Sequence, residues 1–223
     1  MGRVWGIAAA GAAFCGLMHT ALADTLDVGA MAAVQRAVYG VPPQGSQQVK
    51  RLGDTVVFQE ALETVEDGAA LVRFIDQSTL AIGANSKVLI DAFVFDPQAA
   101  EGNALIRISV GTLRFVTGAM PKGKTVIKTP TAALILRGTD VTVHVHPDGT
   151  TDTTVNEGIV EAHNELTNNT ADLASGQGAT LGAGGNSDFN GDTPPTELRT
   201  NDSSISHSDR SGRQGSLRWC DCL

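Results

Sequence analysis

The chain has 223 residues, of which 18% are charged and 4% aromatic, and its formal net charge is −8. A length of this order makes one domain with at most a tail, and the scarcity of rings excludes a core built on large aromatics. The acidic balance excludes nucleic acid as a partner, because phosphate contacts need a basic surface.

The first element is not part of the fold. Met1-Gly2-Arg3 is a short basic start, Val4 to Met18 is an apolar, alanine-rich run, and Ala21-Leu22-Ala23 is a small-x-small site just before Asp24. That is the pattern of a secretory signal peptide over 1–23. The apolar run is shorter than the ~20 residues a membrane span needs. The expected product is periplasmic or secreted, with no stable membrane insertion after cleavage. Cleavage removes Cys15 and leaves Cys220 and Cys222 at the C-terminus, so no disulfide framework holds the body of the domain.

From residue 32 to residue 181 nearly every segment reads as strand and turn. A weak helical spacing, Met31-Val34-Val38, comes first and is stopped by Pro42-Pro43. "DTVVFQEALET" ends at a turn around Asp67-Gly68. "AALVRFIDQSTLAIG" turns at Asp76-Gln77-Ser78, and "NSKVLIDAFVF" restarts at Asn85-Ser86. "ALIRISVGTLRFVTG" alternates, breaks at Gly111 and continues through Leu113 and Phe115, and "KTVIKTPTAALILRG" and "TDVTVHVH" follow. Short β-rich runs punctuated by Gly, Asp and Asn predict an all-β domain of short antiparallel strands over 24–185, a sandwich or roll, with a short β-solenoid left open. Residues 186–223 are polar and rich in Ser, Asp and Gly. They lack the apolar residues to offset ordering entropy and are expected to be a disordered tail.

Several residues invite a functional reading. Arg137-Gly138-Thr139 interrupts an apolar run. Gly inside a strand marks a bulge or close approach, and Arg carries five donors that can satisfy strand-end carbonyls or a carboxylate such as Glu157. The expectation is a corner in the fold, with an anion or glycan-carboxylate site as the alternative. Thr129-Pro130 suits a strand start, Pro147-Asp148-Gly149 a hairpin turn, and Glu157-Gly158 the closure of the next hairpin. His144 and His146, two apart on a strand, face away from Val141, Val143 and Val145. With His163 they would make a metal site only by a convergence the spacing does not show, so no metal or other cofactor is expected. Asp54, Glu60, Glu63 and Asp67 offer carboxylates but no marked pair, and no nucleophile motif accompanies them. No catalytic residue is assigned, and the protein is expected not to be an enzyme.

One stretch resembles a known family. "TPTAALILRGTDVTVHV…DGTTDTTVNEGIVEA", from Thr129 to Ala162, is similar to the most recognisable segment of FecR-like domains: T-P-x-A, a strand, R-G-T, a strand, a D-G turn and E-G before a valine-rich strand. "FIDQSTLAIGANSKVLIDAFVFDP" and "GTLRFVTG" resemble its upstream elements. The resemblance implies an exported all-β module whose signature here is Thr129, Pro130, Arg137, Gly138, Thr139, Asp148, Gly149, Glu157 and Gly158. In its best understood setting such a module follows a cytoplasmic sigma-factor-binding segment and a membrane helix, and contacts the signalling domain of an outer-membrane iron-siderophore receptor. Here only the signal-peptide residues precede it, so the implied protein is a freestanding module. It would act as a protein-binding, scaffold or signalling part of the envelope, with another envelope protein as partner. The alternative is a polysaccharide- or peptidoglycan-binding protein, which the near absence of Trp and Tyr disfavours.

Overall fold

The computed structural model of the protein describes residues 26–182 and, as backbone alone, residues 188–190. Apolar and polar residues alternate along these stretches, and a period of two sends successive side chains to opposite faces. Every regular element among the described residues is accordingly a strand. In chain order they are β1 (Asp27–Gln35), β2 (Val38–Val41), β3 (Gln48–Val49), β4 (Thr55–Val57), β5 (Ala61–Thr64) and β6 (Ala69–Phe74). Next come β7 (Thr79–Ile82), β8 (Lys87–Asp96), β9 (Glu101–Val116), β10 (Thr125–Lys128), β11 (Ala132–Leu136) and β12 (Asp140–Val145). The series ends with β13 (Thr151–Glu157), β14 (Ile159–Asn164), β15 (Thr170–Ala174), β16 (Gly178–Leu181) and β17 (Asp188–Asn190). No helix among the described residues is long and apolar enough to cross a membrane.

The strands form two layers that share β9. Sheet I runs β4-β1-β6-β7-β9-β12-β13-β16-β17. Sheet II runs β3-β2-β5-β8-β9-β10-β11-β14-β15. The N-terminal part of β9 pairs in sheet II up to Val110, and the remainder pairs in sheet I from Gly111. Inward side chains of both layers make one core, in which Phe74 of sheet I stacks on Phe93 of sheet II at 4.2 Å between centroids. Such a pair adds about 0.5–1.5 kcal/mol beyond the area it buries.

The chain passes repeatedly between layers, and every passage carries a residue with positive φ. From the N-terminus these are Arg36, Gly53, Gln59, Asp67, Asn85, Gly111, Gly123, Gly138, Gly158 and Gly176. A strand that leaves one sheet for the other must turn sharply, and a left-handed residue supplies that turn within one or two positions. Arg137-Gly138-Thr139 is one such passage, from β11 in sheet II to β12 in sheet I.

Four details differ from the sequence-based expectation. Met31, Val34 and Val38 are not helical. The register of β1 slips between Met31 and Ala33, and this bulge converts a period of two into an apparent period of three. Gly111 does not end a strand, because β9 runs through it as it changes sheets. Glu157-Gly158 closes no hairpin, since β13 and β14 lie in different layers. The strands are neither all short nor all antiparallel: β9 has 16 residues and pairs β10 in parallel. Strand β17 lies past residue 185 and pairs β16. The signal-peptide stretch, Cys220, Cys222 and the rest of the polar tail lie outside the described residues.

Candidate functional site

The signature residues occupy the joints of the sandwich. Thr129 accepts the amides of Thr131 and Ala132 on its hydroxyl, at 3.3 and 2.9 Å, and so shapes the turn from β10 to β11 around Pro130. The Thr151 hydroxyl donates to Thr129 Oγ1 at 2.7 Å, and Thr131 Oγ1 lies 2.9 Å from the Leu181 carbonyl oxygen and 3.0 Å from Thr151 Oγ1. Three hydroxyls, none more than 8% exposed, thus fasten a sheet II turn to two sheet I strands. Asp148 and Gly149 form the β12–β13 turn. The Thr150 amide, 2.9 Å from Asp148 Oδ1, holds that exposed carboxyl below the usual carboxylate range, helped by the Thr150 hydroxyl.

The next joint packs two passages together. Gly138 has φ +72° and Gly158 φ +90°. A Cβ on Gly158 would meet the Gly138 carbonyl and, at 2.8 Å, the Thr139 methyl. Thr139 itself is buried, and Glu157 is exposed. Arg137 is 44% exposed on its side chain and pairs with Glu161 rather than Glu157. The more sheltered clamp belongs to Arg114 instead. Its Nε and one terminal nitrogen donate to the two oxygens of Asp140 at 2.9 and 2.7 Å, with side-chain exposures of 19% and 16%.

Two further polar centres, at the Asp76-Gln77-Ser78 turn and at the candidate carboxylate Glu60, are structural. Asp76, 1% exposed, accepts from the Ser78 amide and hydroxyl and from the Met120 amide, tying the β6–β7 turn to the passage after β9. Glu60, fully buried, takes the Val57 amide at 3.0 Å and the Lys50 ammonium at 2.6 Å. The remaining carboxylates are engaged locally: Asp54 accepts the Arg51 amide, and Glu63 faces Lys87 at 3.3 Å. The histidines divide between layers. In sheet I, His144 is hydrogen-bonded to Thr112 and His146 to Asp152; in sheet II, His163 is hydrogen-bonded to Thr170. No group of three metal-ligating side chains converges among the described residues.

The outer faces of the two sheets differ in chemistry. That of sheet I is polar, with Thr112, Thr142, His144, Asp152 and Thr180 on β9, β12, β13 and β16, hydrogen-bonded among themselves and to Asn156. That of sheet II carries a half-buried aliphatic row, Leu105 opposite Val126 opposite Ile135. Beside it lies a groove of about 470 Å³. Its outward-facing side chains are Ala61 and Glu63 from β5, Lys87 and Leu89 from β8, Arg107 and Ser109 from β9, and Lys128 from β10, with Pro130 and Glu165 from loops. The charges pair in place: Arg107 with Asp91 at 2.6 Å, Lys128 with Glu165 at 2.8 Å and Lys87 with Glu63. All three pairs reach solvent and are worth about 0–1 kcal/mol each, so they can exchange their partners for those of another molecule. No sequence signal marks this groove, because its residues run from Ala61 to Glu165 and meet only through strand order.

Residues 60–161 match the family model described as FecR protein. Two crystal structures of a candidate anti-sigma factor from Parabacteroides distasonis ATCC 8503 share the fold. They superpose with TM-scores of 0.51 and 0.50 at 14% and 13% identity, over 62% of this chain and 62% of theirs. The chain thus spans somewhat less than two thirds of the length of these structures. No curated protein matches the sequence.

Proposed function

Because residues 60–161 form a FecR domain, we propose that this protein is a non-catalytic docking module for another protein in an envelope signalling system. Its docking face is the outer face of sheet II. The description of the structural neighbours as candidate anti-sigma factors supports a regulatory rather than an enzymatic role, and the N-terminal pattern of basic start, apolar run and Ala21-Leu22-Ala23 supports export. One observation carries the choice of face. The signature residues are occupied in holding joints together, whereas the aliphatic row and groove of sheet II leave apolar area beside loosely paired charges. Protein interfaces combine an apolar centre with a polar rim in this way.

A photo-crosslinking residue placed at Ser109, in the groove, should form an adduct with a defined partner in cells, and one placed at Asn156, on sheet I, should not. Leu89→Asp should abolish the Ser109 adduct while leaving the unfolding midpoint within experimental scatter. Equal adducts from both faces, or an adduct indifferent to Leu89→Asp, would reject this docking face. Turnover of a peptidoglycan or polysaccharide substrate, lost on changing one carboxylate, would reject the non-catalytic reading.

A further inference from the structure

The groove of sheet II holds a pair of cations that the fold alone does not require. Arg107 and Lys128 stand directly opposite one another on β9 and β10, which run parallel and in register. Neighbouring strands lie about 4.8 Å apart, so two cationic stems leave adjacent backbones on the same face. Like charges that close repel one another unless a negative group accompanies them. Each has its own carboxylate: Arg107 reaches Asp91 on β8 at 2.6 Å, and Lys128 reaches Glu165, just past β14, at 2.8 Å. These two lie on opposite flanks of the pair, since β8 borders β9 while β14 reaches β10 through β11. No carboxylate among the described residues bridges both cations.

The donors are only partly used. Arg carries five N–H donors in a fixed fork. Asp91 takes the one on Nε, and the two terminal nitrogens of Arg107 have no hydrogen-bond partner among the described residues. Lys128 gives one of its three N–H groups to Glu165. Both ion pairs are open to solvent, with Arg107 49% and Glu165 38% exposed on their side chains.

The surroundings set the character of what fits. The groove holds about 470 Å³, within the ~300–1,000 Å³ of sites that enclose a small ligand or a few side chains. Two residues back along the same strands lie Leu105 and Val126 of the half-buried aliphatic row. Same-face residues of a strand recur about every 6.6 Å, and an extended peptide laid on the sheet has the same repeat. The chain as a whole carries a net charge of −8, so its attraction for an acidic segment is local to such a cation pair.

Given docking on the outer face of sheet II, on which this assignment rests, we propose that the partner protein inserts an Asp or Glu side chain between Arg107 and Lys128. An apolar residue two positions from that carboxylate then lies on Leu105 and Val126. The terminal nitrogens of Arg107 grip the carboxylate as a fork, and Lys128 adds a charge-assisted bond from the other side. Asp91 and Glu165 are stand-ins that draw the cations apart in the undocked protein.

A stand-in behaves unlike a structural ion pair, because removing it strengthens binding. With the photo-crosslinking residue at Ser109, Asp91→Asn and Glu165→Gln should each raise the yield of the partner adduct several-fold. Arg107→Gln combined with Lys128→Gln should lower it by roughly tenfold, with circular dichroism unchanged. Mass spectrometry of the adduct should place an Asp or Glu in the crosslinked segment, with an apolar residue two positions away. Changing that carboxylate to its amide should lower the yield as the double variant does, and exchanging it for Lys should restore the adduct of Arg107→Glu. An adduct indifferent to Asp91→Asn and to the double variant overturns the proposal and leaves the docking face standing, whereas no adduct from the parent overturns both. A crosslinked segment without an acidic residue overturns it in favour of a different contact. Binding to polygalacturonate that the double variant loses, with the protein adduct unchanged, overturns it in favour of an acidic glycan. Should the double variant fail to fold, the two amide variants and the partner's own carboxylate decide.

Discussion

At Gly138 and Gly158 the same residue type is required for two different reasons. Space is ample around Gly138, whose nearest neighbour to an added Cβ is Lys122 at 3.5 Å, so only its φ of +72° resists substitution. Gly138→Val should cost about 1–3 kcal/mol, the scale of a strained backbone position, with Gly138→Asn markedly milder. Gly158 adds a backbone collision to its positive φ, and Gly158→Ala should lower the urea midpoint more than Gly138→Ala does. The two arginines also separate. Arg137 is a solvent-facing ion pair and Arg137→Ala should cost below about 1 kcal/mol, whereas Arg114→Ala abandons Asp140 in a largely buried clamp and should cost about 2–3 kcal/mol. Urea titration of the six variants ranks them. A stability loss for Arg137→Ala equal to that for Arg114→Ala would contradict the burial seen here. Both arginines sit in strand-rich sequence with a nearby Thr, and nothing local says which one meets a carboxylate out of water. Burial is decided by Asp140, which β12 brings to the register of β9.

Elements were legible where the information is local. Period-two alternation and the Asp-Gly and Asn-Ser punctuation mark strands and most turns, because both act within a few residues. Layer assignment is not local. A glycine that turns a chain back into a hairpin and one that sends it to the other sheet look alike in sequence, so Gly111 reads as a break and Gly158 as a hairpin. Gly111 is set by its φ of +98° and by a close approach to the β7–β8 passage, since a Cβ there would fall 2.5 Å from the Ser86 Cα. The groove of sheet II was illegible for the same reason, being assembled by the order of four strands. The hydroxyl joint at Thr129, Thr131 and Thr151 does follow the signature, but its mechanism becomes visible only with three elements in place. Thr131→Val keeps the shape and removes the hydroxyl. It should destabilise by about 1–3 kcal/mol through unpaired buried acceptors, despite being more apolar, and thermal unfolding beside the parent protein tests it.

At the scale of the whole molecule, one strand pairing, β17 on β16, falls past residue 185. Chains ending at residue 185 lack β17 and expose the edge of β16, whereas chains ending at residue 190 keep that pairing. The shorter protein should unfold at lower urea concentration, and equal midpoints would show β17 to be dispensable. Composition does not mark β17, because "SDFN" is as polar as the residues after it, and strand pairing at an edge needs backbone more than apolar side chains.

Strand β9 is hydrogen-bonded on both flanks along much of its length, to β8 and β10 in one layer and to β7 and β12 in the other. A single backbone is therefore the seam of both sheets. The layers cannot slide past one another, and tension along residues 101–116 loads four ladders in shear together. Stretched by handles attached at the two ends of β9, the domain should hold to high force and then fail in one step. A molecule built this way carries a push or a pull across its thickness as a stiff strut does, by moving as a unit.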